Sequence, residues 1–487
     1  MNYKNLSVSL AQVDCPNYPA PPYHPCRSHP ELTKLPYNLC PSNNNHNSIY
    51  EAVRDCLIRL KLDNRNIETN QWNPFQSFIK PGQNAVLKPN LVFDQHPLGL
   101  KGTLCTITHA SVLRPLIDYI LLATAGNVNI SICDVPLQSA NWNNLIFLGG
   151  YNSLIDFYSS YGIYISLIDL RKEIAIFDPL NIIVKRLVKD RDPLGYCVVD
   201  LAQKSALYPV IQFHKKFRIT DYHGKAVSKH HNFNKNEYLI PKTILNANFF
   251  LNVPKLKTHR KAGITCAMKN LIGINGDKSW IAHHRSGACQ FGGDEYPRFH
   301  LKNYLRWHLW AFLKSYKHTI WLAKLIKKLY YKKVTAGKTI ESLKMTSDFH
   351  DMMEGSWYGN DTIWRCIADL NHIIFFADIN GQMHHDPVRN YLTVVDAVIA
   401  GENEGPMQNM PKNAGIILSG FNPLMIDYIA TKMMGFNPDK IPSISKTKDI
   451  KHLLYTEPFQ NNYIKESLEI DYPVLNFVPC QSWKTVL

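Results

Sequence analysis

A short apolar run closed by a proline constrains the fold more than any other feature of this sequence. Phe249, Phe250, Leu251 and Val253 have the pattern of a strand that is buried on both faces. Pro254 ends the strand because proline cannot donate to a sheet ladder. A run of this kind belongs in a covered sheet, so the chain is predicted to be an α/β protein with mostly parallel, doubly wound sheets.

Cationic side chains come directly after this strand. Lys255, Lys257 and His259 alternate with Leu256 and Thr258, so in an extended chain all three point to the same side. In open α/β sheets, ligands bind beyond the carboxyl ends of the strands. The alternation therefore predicts a ligand cleft there, although a solvated basic loop would have the same pattern.

The loop that comes next combines glycines with polar side chains. Gly263 to Leu271 is predicted to begin a helix, and Gly273 and Gly276 allow the backbone to approach a ligand closely. A long loop of this composition is usually functional. The candidate substrate-binding residues of this stretch are Lys269, Asn270, Asn275, Lys278, His283, His284 and Arg285.

Two earlier strands end in similar side chains. The strand of residues 84–88 ends in Lys88, Pro89 and Asn90, and residues 128–133 form a strand that ends at Asp134. Thr108 opens the helix between these two strands. Lys88, Asn90, Thr108 and Asp134 are therefore further substrate-binding candidates.

Acidic candidates come from the last third of the chain. Glu402 and Glu404 lie between glycines behind a strand, and Asp427 interrupts an apolar helix, where a buried carboxylate needs a partner. A lysine of the central stretch is the expected partner. The residues predicted to be catalytic are Lys255, Lys257, His259 and Asp427. In the same part of the chain as Asp427, residues 375–378 are predicted to form another strand.

Several blocks of this sequence resemble one known family. PKLKTHRKAGITCAMKNLIGINGDKSWIAHHR, at residues 254–285, is similar to the central block of the family named domain of unknown function 362, particularly its long branch often found beside exopolysaccharide genes. VLKPNLV (86–92), THASVLRPLIDYIL (108–121), EGSWYGNDTIWR (354–365) and VVDAVIAGENEGP (394–406) match the same family in the same order. The resemblance implies a fold and leaves the reaction open.

The composition indicates the class of protein, its cellular compartment and which cofactors are disfavoured. The chain has 45% apolar and 19% charged residues, which is typical of a globular protein. It shows no secretory signal and no apolar stretch long enough to span a membrane. The eleven cysteines form no C-x-x-C pair, which indicates reduced thiols in a cytoplasm and no iron–sulfur motif.

The excess positive charge is concentrated in one segment. The net charge is +15, and residues 300–335 contain nine Lys or Arg and no Asp or Glu. Their spacing predicts an amphipathic helix with Lys302, Arg306 and Lys314 on one arc and Leu305 and Leu325 facing away. Such a segment suits peripheral contact with the inner face of the membrane, or packing on its own domain. Nucleic acid is disfavoured because no reader module surrounds it.

Three functions are compatible with these observations. The leading hypothesis is a cytoplasmic enzyme that binds a carboxylate- or phosphate-bearing small molecule, or a glycan-related one, between the lysines and the acidic residues and transfers a proton. A metal-dependent enzyme could use His283 and His284 with Asp294 and Glu295, or Glu402 and Glu404 with Asp134. A non-catalytic protein binding anionic glycans or lipids at the membrane is the third.

The expected organisation has three parts. Residues 1–299 form the main α/β domain with a proline-rich N-terminal arm, and residues 300–353 form a basic helical insertion. Residues 354–487 complete the sheet and the cleft.

Overall fold

A mixed, mostly parallel sheet forms the centre of the molecule, as the computed structural model shows. The structure describes residues 3–37, 47–178, 183–220, 222, 226–299, 354–460 and 471–487, with seven more between 301 and 325. Within these residues, nine strands join the sheet: β1 Val8–Gln12, β2 Asn84–Pro89, β3 Asn129–Asp134, β4 Ile165–Asp169, β5 Phe249–Val253, β6 Lys255–His259, β7 Gly263–Thr265, β8 Asn390–Glu402 and β9 Met410–Gly420. The predicted α/β class is confirmed.

The strand order reverses direction at the middle of the sheet. The order is β1-β9-β8-β5-β2-β3-β4, and β6 continues beside β8 and pairs with β7. The pairs from β8 through β5, β2 and β3 to β4 are all parallel, whereas β9 is antiparallel to both of its neighbours. Successive strands are added on one side of β2 up to β4, and β5 then returns to the other side of β2.

Two helical layers cover the sheet because its central strands are apolar on both faces. Ala85 and Leu87 of β2 pack into one core and Val86 into the other. The first core receives α1 Ser48–Arg59 and α2 Ala110–Thr124. The second receives α3 Ile363–Phe376 and α4 Pro423–Met433.

Shorter elements decorate this framework. Separate small sheets pair Tyr196–Asp200 and His231–Asn232 with Lys235–Pro241, Glu173–Phe177 with Ile183–Val188, and Phe217–Arg218 with His284–Arg285. The remaining α-helices of the described residues are Gly99–Leu104, Trp142–Leu148, Tyr151–Ser159, Val227–His230, Lys242–Leu245, Ala267–Asn270, Pro442–Ser445 and Glu457–Gln460.

The proline-rich arm is ordered through its tyrosines and a buried carboxylate, as far as residue 37. The Tyr37 hydroxyl donates to the buried carboxylate of Asp118 on α2 at 2.7 Å. Glu31 is fully buried and accepts from Arg54 at 2.8 Å and from Tyr119 at 3.0 Å. Polar side chains of the arm thus dock it onto α1 and α2.

Two predicted elements were wrong. Residues 375–378 are not a strand, because Phe375 and Phe376 complete α3 and pack against Tyr391 and Tyr3. Residues 263–271 do not begin as a helix, because β7 first pairs antiparallel with β6 and helix Ala267–Asn270 comes after it. Short apolar runs fit a buried helix as well as a strand, so only the tertiary partners distinguish them.

The basic segment falls largely outside the described residues. The lysines and arginine of the predicted amphipathic helix are all among the residues that the structure does not describe. Its described members are helical, and Leu301, Leu305, Leu309 and Trp321 are exposed whereas Leu313 is buried. None of the described helices is long and apolar enough to cross a bilayer.

Candidate functional site

The candidate site lies where the strand order reverses, between β2 and β5. Lys88 pairs in register with Asn252, and Pro89 with Val253, so both strands end together. The chain then continues as β6 along β8, with Lys255 opposite Asp396 and Lys257 opposite Gly401. A reversal of strand order opens a crevice at the carboxyl ends of the strands, which is where ligands bind in such sheets.

Lys88 and Asp134 form a buried ion pair at one side of this crevice. The Lys88 ammonium donates to Asp134 Oδ1 at 2.7 Å, to the Pro89 carbonyl at 2.9 Å and to Asn270 Oδ1 at 3.2 Å. Asp134 Oδ2 accepts from the amide of Leu91 at 2.7 Å. The pair therefore has the additional hydrogen bonds that a buried ion pair requires.

Gly273 is required next to this pair. A Cβ at that position would lie 2.3 Å from Asp134 Oδ1 and 2.6 Å from Lys88 Nζ. The glycine-rich loop can therefore pass directly over the ion pair because it carries no side chain there.

A second buried ion pair joins β6 to β8. Lys255 Nζ donates to Asp396 Oδ2 at 2.9 Å, and both side chains are fully buried. Tyr18 of the N-terminal arm contacts Lys255 and donates to Asp396 at 2.9 Å, and its ring stacks on His109 at 4.2 Å. Burial lowers the pKa of Lys255 and Asp396 opposes that effect.

Lys257 has no such acidic partner among the described residues. It is 1% exposed, and its only described hydrogen bond goes to the carbonyl of Thr106. Burial lowers its pKa well below the usual value, and the charges of Lys269 and Lys255 lower it further, partly opposed by Cys105 and Asp134.

His259 is held in one tautomer. Its Nδ1 accepts hydrogen bonds from the backbone amides of Lys261 at 3.0 Å and Ala262 at 3.2 Å. Burial, followed by the charges of Lys269 and Lys257, keeps its pKa well below the usual range. The neutral ring therefore carries its proton on Nε2, which makes that nitrogen a hydrogen-bond donor.

Lys269 and Lys278 are two further amines near Lys88. Burial lowers the pKa of Lys269 to about 8, and the charges of Lys261 and Lys88 contribute. Burial also lowers the pKa of Lys278 to about 7, with Asp134 opposing and Lys269 and Lys88 contributing. Neither amine has a hydrogen-bond or ion-pair partner within the described part of the chain.

His283 and His284 adjoin these amines. His283 is half-buried, and burial together with the charges of Lys261 and Lys269 lowers its pKa well below its usual range. His284 is buried, and neither of its ring nitrogens has a partner among the described residues. Burial lowers its pKa too, followed by the charge of Lys261.

Other predicted residues hold the crevice in shape. Thr108 bridges the ends of β2 and β5, because its hydroxyl accepts from the amide of Asn90 at 2.9 Å and donates to the Val253 carbonyl at 2.7 Å. Asn275 accepts from the Leu239 amide at 2.9 Å. Arg285 belongs to a separate network with Asp361, at 3.3 Å.

The acidic wall expected from Glu402, Glu404 and Asp427 is not observed in the described contacts. Glu402 accepts from the amide of Val478 at 2.9 Å and Glu404 from that of Gln481 at 2.7 Å, so both bind the C-terminal segment. Asp427 accepts from the amide of Met268 at 3.3 Å in place of the expected lysine. Burial raises the pKa of Asp427 to about 7.

Sequence reasoning missed Tyr18 and Asp396. Asp396 lies within a strand and Tyr18 in an arm without periodic pattern, so no local signal connects either to Lys255. A carboxylate inside an apolar strand was the one available hint, since such a group needs a buried partner.

The described residues contain no side-chain cluster of the kind that the metal-dependent alternative requires. Within the described ranges, no three His, Cys, Asp or Glu side chains converge in a way that could hold a metal ion. Asp294, one of its candidate ligands, accepts from the Thr362 hydroxyl at 2.5 Å and from the Asp361 amide at 2.9 Å.

Fold and site together define an α/β protein with buried amines at the reversal point of its central sheet. Residues 199–432 match the model of a family described as Domain of unknown function (DUF362). This match supports the family that the resemblance indicated. Comparison with curated proteins and with solved structures found no match.

Proposed function

We propose that this protein binds an anionic small molecule, bearing a carboxylate or a phosphate, and transfers a proton with a buried lysine as the base. The observation that carries the proposal is the group Lys257, Lys269 and Lys278, three amines without a carboxylate partner in the described residues, of which Lys257 and Lys278 are buried and Lys269 is half-buried. Desolvating an unpaired charge costs several kcal/mol, so these amines favour either an anionic ligand or the neutral state.

The lysines suit the role of base better than His259. A base is most efficient when its pKa lies near the working pH, and the pKa values of Lys278 and Lys269 are about 7 and about 8. His259 Nδ1 is occupied by two backbone amides, so this ring donates from Nε2. We therefore assign proton transfer to a lysine and anion binding to His259.

A phosphorylated or carboxylated sugar fits this chemistry. Such a molecule combines an anionic group with hydroxyls and carbon-bound protons adjacent to them. The resemblance to a branch found beside exopolysaccharide genes also supports a sugar as the ligand. We propose a cytoplasmic location with it.

Binding is tested by titration calorimetry with inorganic phosphate and with acetate. Lys269→Met and Lys278→Met are expected to weaken binding of the anion by about tenfold or more each, since each removes a charge-assisted contact. Lys101→Met removes the same charge from an exposed helix and serves as the control. Unchanged affinity in both site variants would refute the proposal.

Proton transfer is tested separately in D2O. Carboxylated and phosphorylated sugars are incubated with the protein and followed by proton NMR. Loss of a carbon-bound proton signal with wild-type protein, but not with Lys278→Met or Lys269→Met, is the expected result. If the wild-type protein binds the anions but exchanges no carbon-bound proton in any of these sugars, the proposed catalysis is wrong. The protein would then be a binding protein.

A second proposal concerns the basic segment, because several of its apolar side chains are exposed. Leu301, Leu305 and Leu309 recur every fourth residue and are 57–60% exposed, and Trp321 is 63% exposed. Exposed leucine and tryptophan beside nine lysines or arginines are typical of a helix that lies in the membrane interface. We propose that residues 300–335 attach the protein to an anionic bilayer surface.

Liposome sedimentation tests this attachment. Vesicles with anionic lipid should bind the protein, neutral vesicles should bind it weakly, and added salt should release it. Leu305→Ser with Leu309→Ser should weaken binding, whereas Leu100→Ser, at a leucine that is 53% exposed elsewhere, should not. Equal sedimentation of all variants would contradict the proposal.

A further inference from the structure

Two carboxylates at the end of β8 bind a segment from far along the chain. Glu402 accepts from the amide of Val478 at 2.9 Å, and Glu404 accepts from the amide of Gln481 at 2.7 Å. Both carboxylates were expected to face a ligand. In the structure they fix the C-terminal segment, residues 478–483, to the chain that follows β8.

The acidic loop, residues 402–405, packs against β6 on its other side. The hydroxyl of Thr258 donates to the Asn403 carbonyl at 2.6 Å, and the amide of Arg260 donates to the Gly405 carbonyl at 3.3 Å. A Cβ at Gly405 would clash with the carbonyl oxygen of Thr258, so this close approach requires glycine. The acidic loop therefore lies between the C-terminal segment and β6.

The C-terminal segment also contacts the turn between β6 and β7 directly. Trp483 is 1% exposed, and its Nε1 donates to the Arg260 carbonyl at 2.8 Å. On the far side of the turn, a Cβ at Gly263 would lie 3.1 Å from the indole ring. The indole is therefore in close contact with the turn that follows His259.

One peptide group links this contact to the histidine. The carbonyl of the peptide between Arg260 and Lys261 accepts from Trp483 Nε1. The N–H of the same peptide donates to His259 Nδ1 at 3.0 Å. Because a peptide group is planar, fixing the direction of its carbonyl also fixes the direction of its N–H. Trp483 therefore orients one of the two amides that hold His259 in a single tautomer.

Resting on the anion binding proposed above, we infer that the C-terminal segment is a positioning element of the anion site. Trp483 orients the turn directly, and Glu404 acts on it through the acidic loop. With the turn fixed, His259 keeps its proton on Nε2, where an anion accepts it. Without the segment the turn relaxes, and the tautomer with its proton on Nδ1 becomes populated. That tautomer presents a lone pair at Nε2, which an anion does not bind.

Nitrogen NMR of protein with 15N-labelled histidine tests the tautomer directly. The His259 ring signals are identified by their absence in His259→Gln. In wild-type protein they should show a proton on Nε2 alone. Trp483→Phe keeps an aromatic ring and removes the donor, so signals of both tautomers are expected.

A second pair of variants tests the path through the acidic loop. Glu404 is only half-buried, so its substitution tests the inference even if Trp483→Phe does not fold. Glu404→Ala removes the acceptor of the Gln481 amide and should populate both tautomers of His259. Glu404→Gln retains an acceptor oxygen and should give the wild-type signals.

Trp72→Phe is the matched control. Trp72 is fully buried, and its Nε1 donates to the Leu62 carbonyl at the same distance of 2.8 Å, but it packs in the opposite core. This variant should lose stability as Trp483→Phe does, because each loses one buried hydrogen bond. The His259 signals should change in Trp483→Phe and stay as in wild type in Trp72→Phe.

Titration calorimetry with inorganic phosphate connects the tautomer with the ligand. Trp483→Phe should weaken phosphate binding by about fivefold, which corresponds to one hydrogen bond. Trp72→Phe should bind phosphate as wild type does.

The outcomes separate the two proposals. If His259 keeps its proton on Nε2 alone in both Trp483→Phe and Glu404→Ala, the C-terminal segment does not position this ring and the inference is wrong. If the tautomers change but phosphate binds equally to wild type and Trp483→Phe, or binds to neither, the positioning of the ring stands. The anion binding assigned to His259 is then wrong.

Discussion

The lysines of this site fall into two kinds that differ in whether a carboxylate lies next to the amine. Lys88 and Lys255 are fully buried and lie 2.7 and 2.9 Å from a carboxylate. Lys257, Lys269 and Lys278 have no such partner in the described part of the chain. The first kind stabilises the native structure around the crevice, whereas the second kind is the one that we propose to bind anions.

Removal of Lys88 should show the structural role of the first kind. Lys88→Met leaves the Asp134 carboxylate buried without its cation, so the free energy of unfolding should fall by about 3–5 kcal/mol. Urea denaturation measures the change. Adding Asp134→Asn to Lys88→Met removes the unpaired buried charge and should restore part of the lost stability. If the double variant instead loses the sum of the two single-variant losses, the two residues are not paired.

The second kind predicts how stability depends on pH. The pKa of Lys278 falls from its usual range to about 7 on folding, so between that value and the unfolded pKa near 10 the unfolded state binds more protons. The free energy of unfolding of the ligand-free protein should therefore rise as pH increases from about 7 to about 10. Denaturation at several pH values measures the slope, which should be smaller in Lys278→Met. Equal slopes would show that Lys278 keeps an ordinary pKa.

At the scale of elements, the N-terminal arm contributes to the site through one tyrosine. Tyr18 reaches Lys255 and Asp396, which are separated from it by more than two hundred residues in sequence. Its hydroxyl donates to the carboxylate while its ring stacks on His109. The arm therefore closes one side of the ion pair between β6 and β8.

Tyr18→Phe separates these two contacts. The ring stack is retained and the hydroxyl is lost, so Asp396 loses a donor and Lys255 loses an acceptor, and stability should fall by about 1–3 kcal/mol. Thermal denaturation measures this change. Tyr164→Phe is the matched control because that residue is 84% exposed. A Tyr18→Phe variant as stable as this control would contradict the described contact.

At the scale of the whole molecule, the chain leaves and rejoins the core at one place around the basic segment. The amide of Gly355 donates to the Glu295 carbonyl at 3.0 Å, and Trp357 Nε1 donates to the Asp294 carbonyl at 2.9 Å. The described residues before 300 and after 353 are therefore adjacent, and the insertion at residues 300–353 stays a prediction.

Replacement of residues 301–352 by a short Gly/Ser linker tests this organisation. The two ends are close, so loop closure costs little and the core should keep its cooperative unfolding and its affinity for inorganic phosphate. Binding to anionic liposomes should be lost. Calorimetry measures unfolding and phosphate affinity, and sedimentation measures liposome binding. If cooperative unfolding is lost, the segment is part of the core and not an insertion.

The sequence by itself determined the central strands and the polar side chains at their carboxyl ends. Period-2 alternation and Pro254 fix β5 and β6, and polar side chains after apolar runs mark the ends of β2 and β3. These signals are local, because they depend on backbone geometry and on residues a few positions apart. The α/β class and the positions of Lys88, Lys255, Lys257 and Asp134 were therefore predictable.

Only the tertiary structure decided which lysines are neutralised. Asp396 pairs with Lys255 from 141 residues away, whereas Glu402 and Glu404 bind backbone amides of the C-terminal segment. The tautomer of His259 and the backbone partner of Asp427 likewise depend on where other segments pack. Charge states in a protein interior depend on neighbours in space and on exclusion of water, and neither is encoded in local sequence spacing.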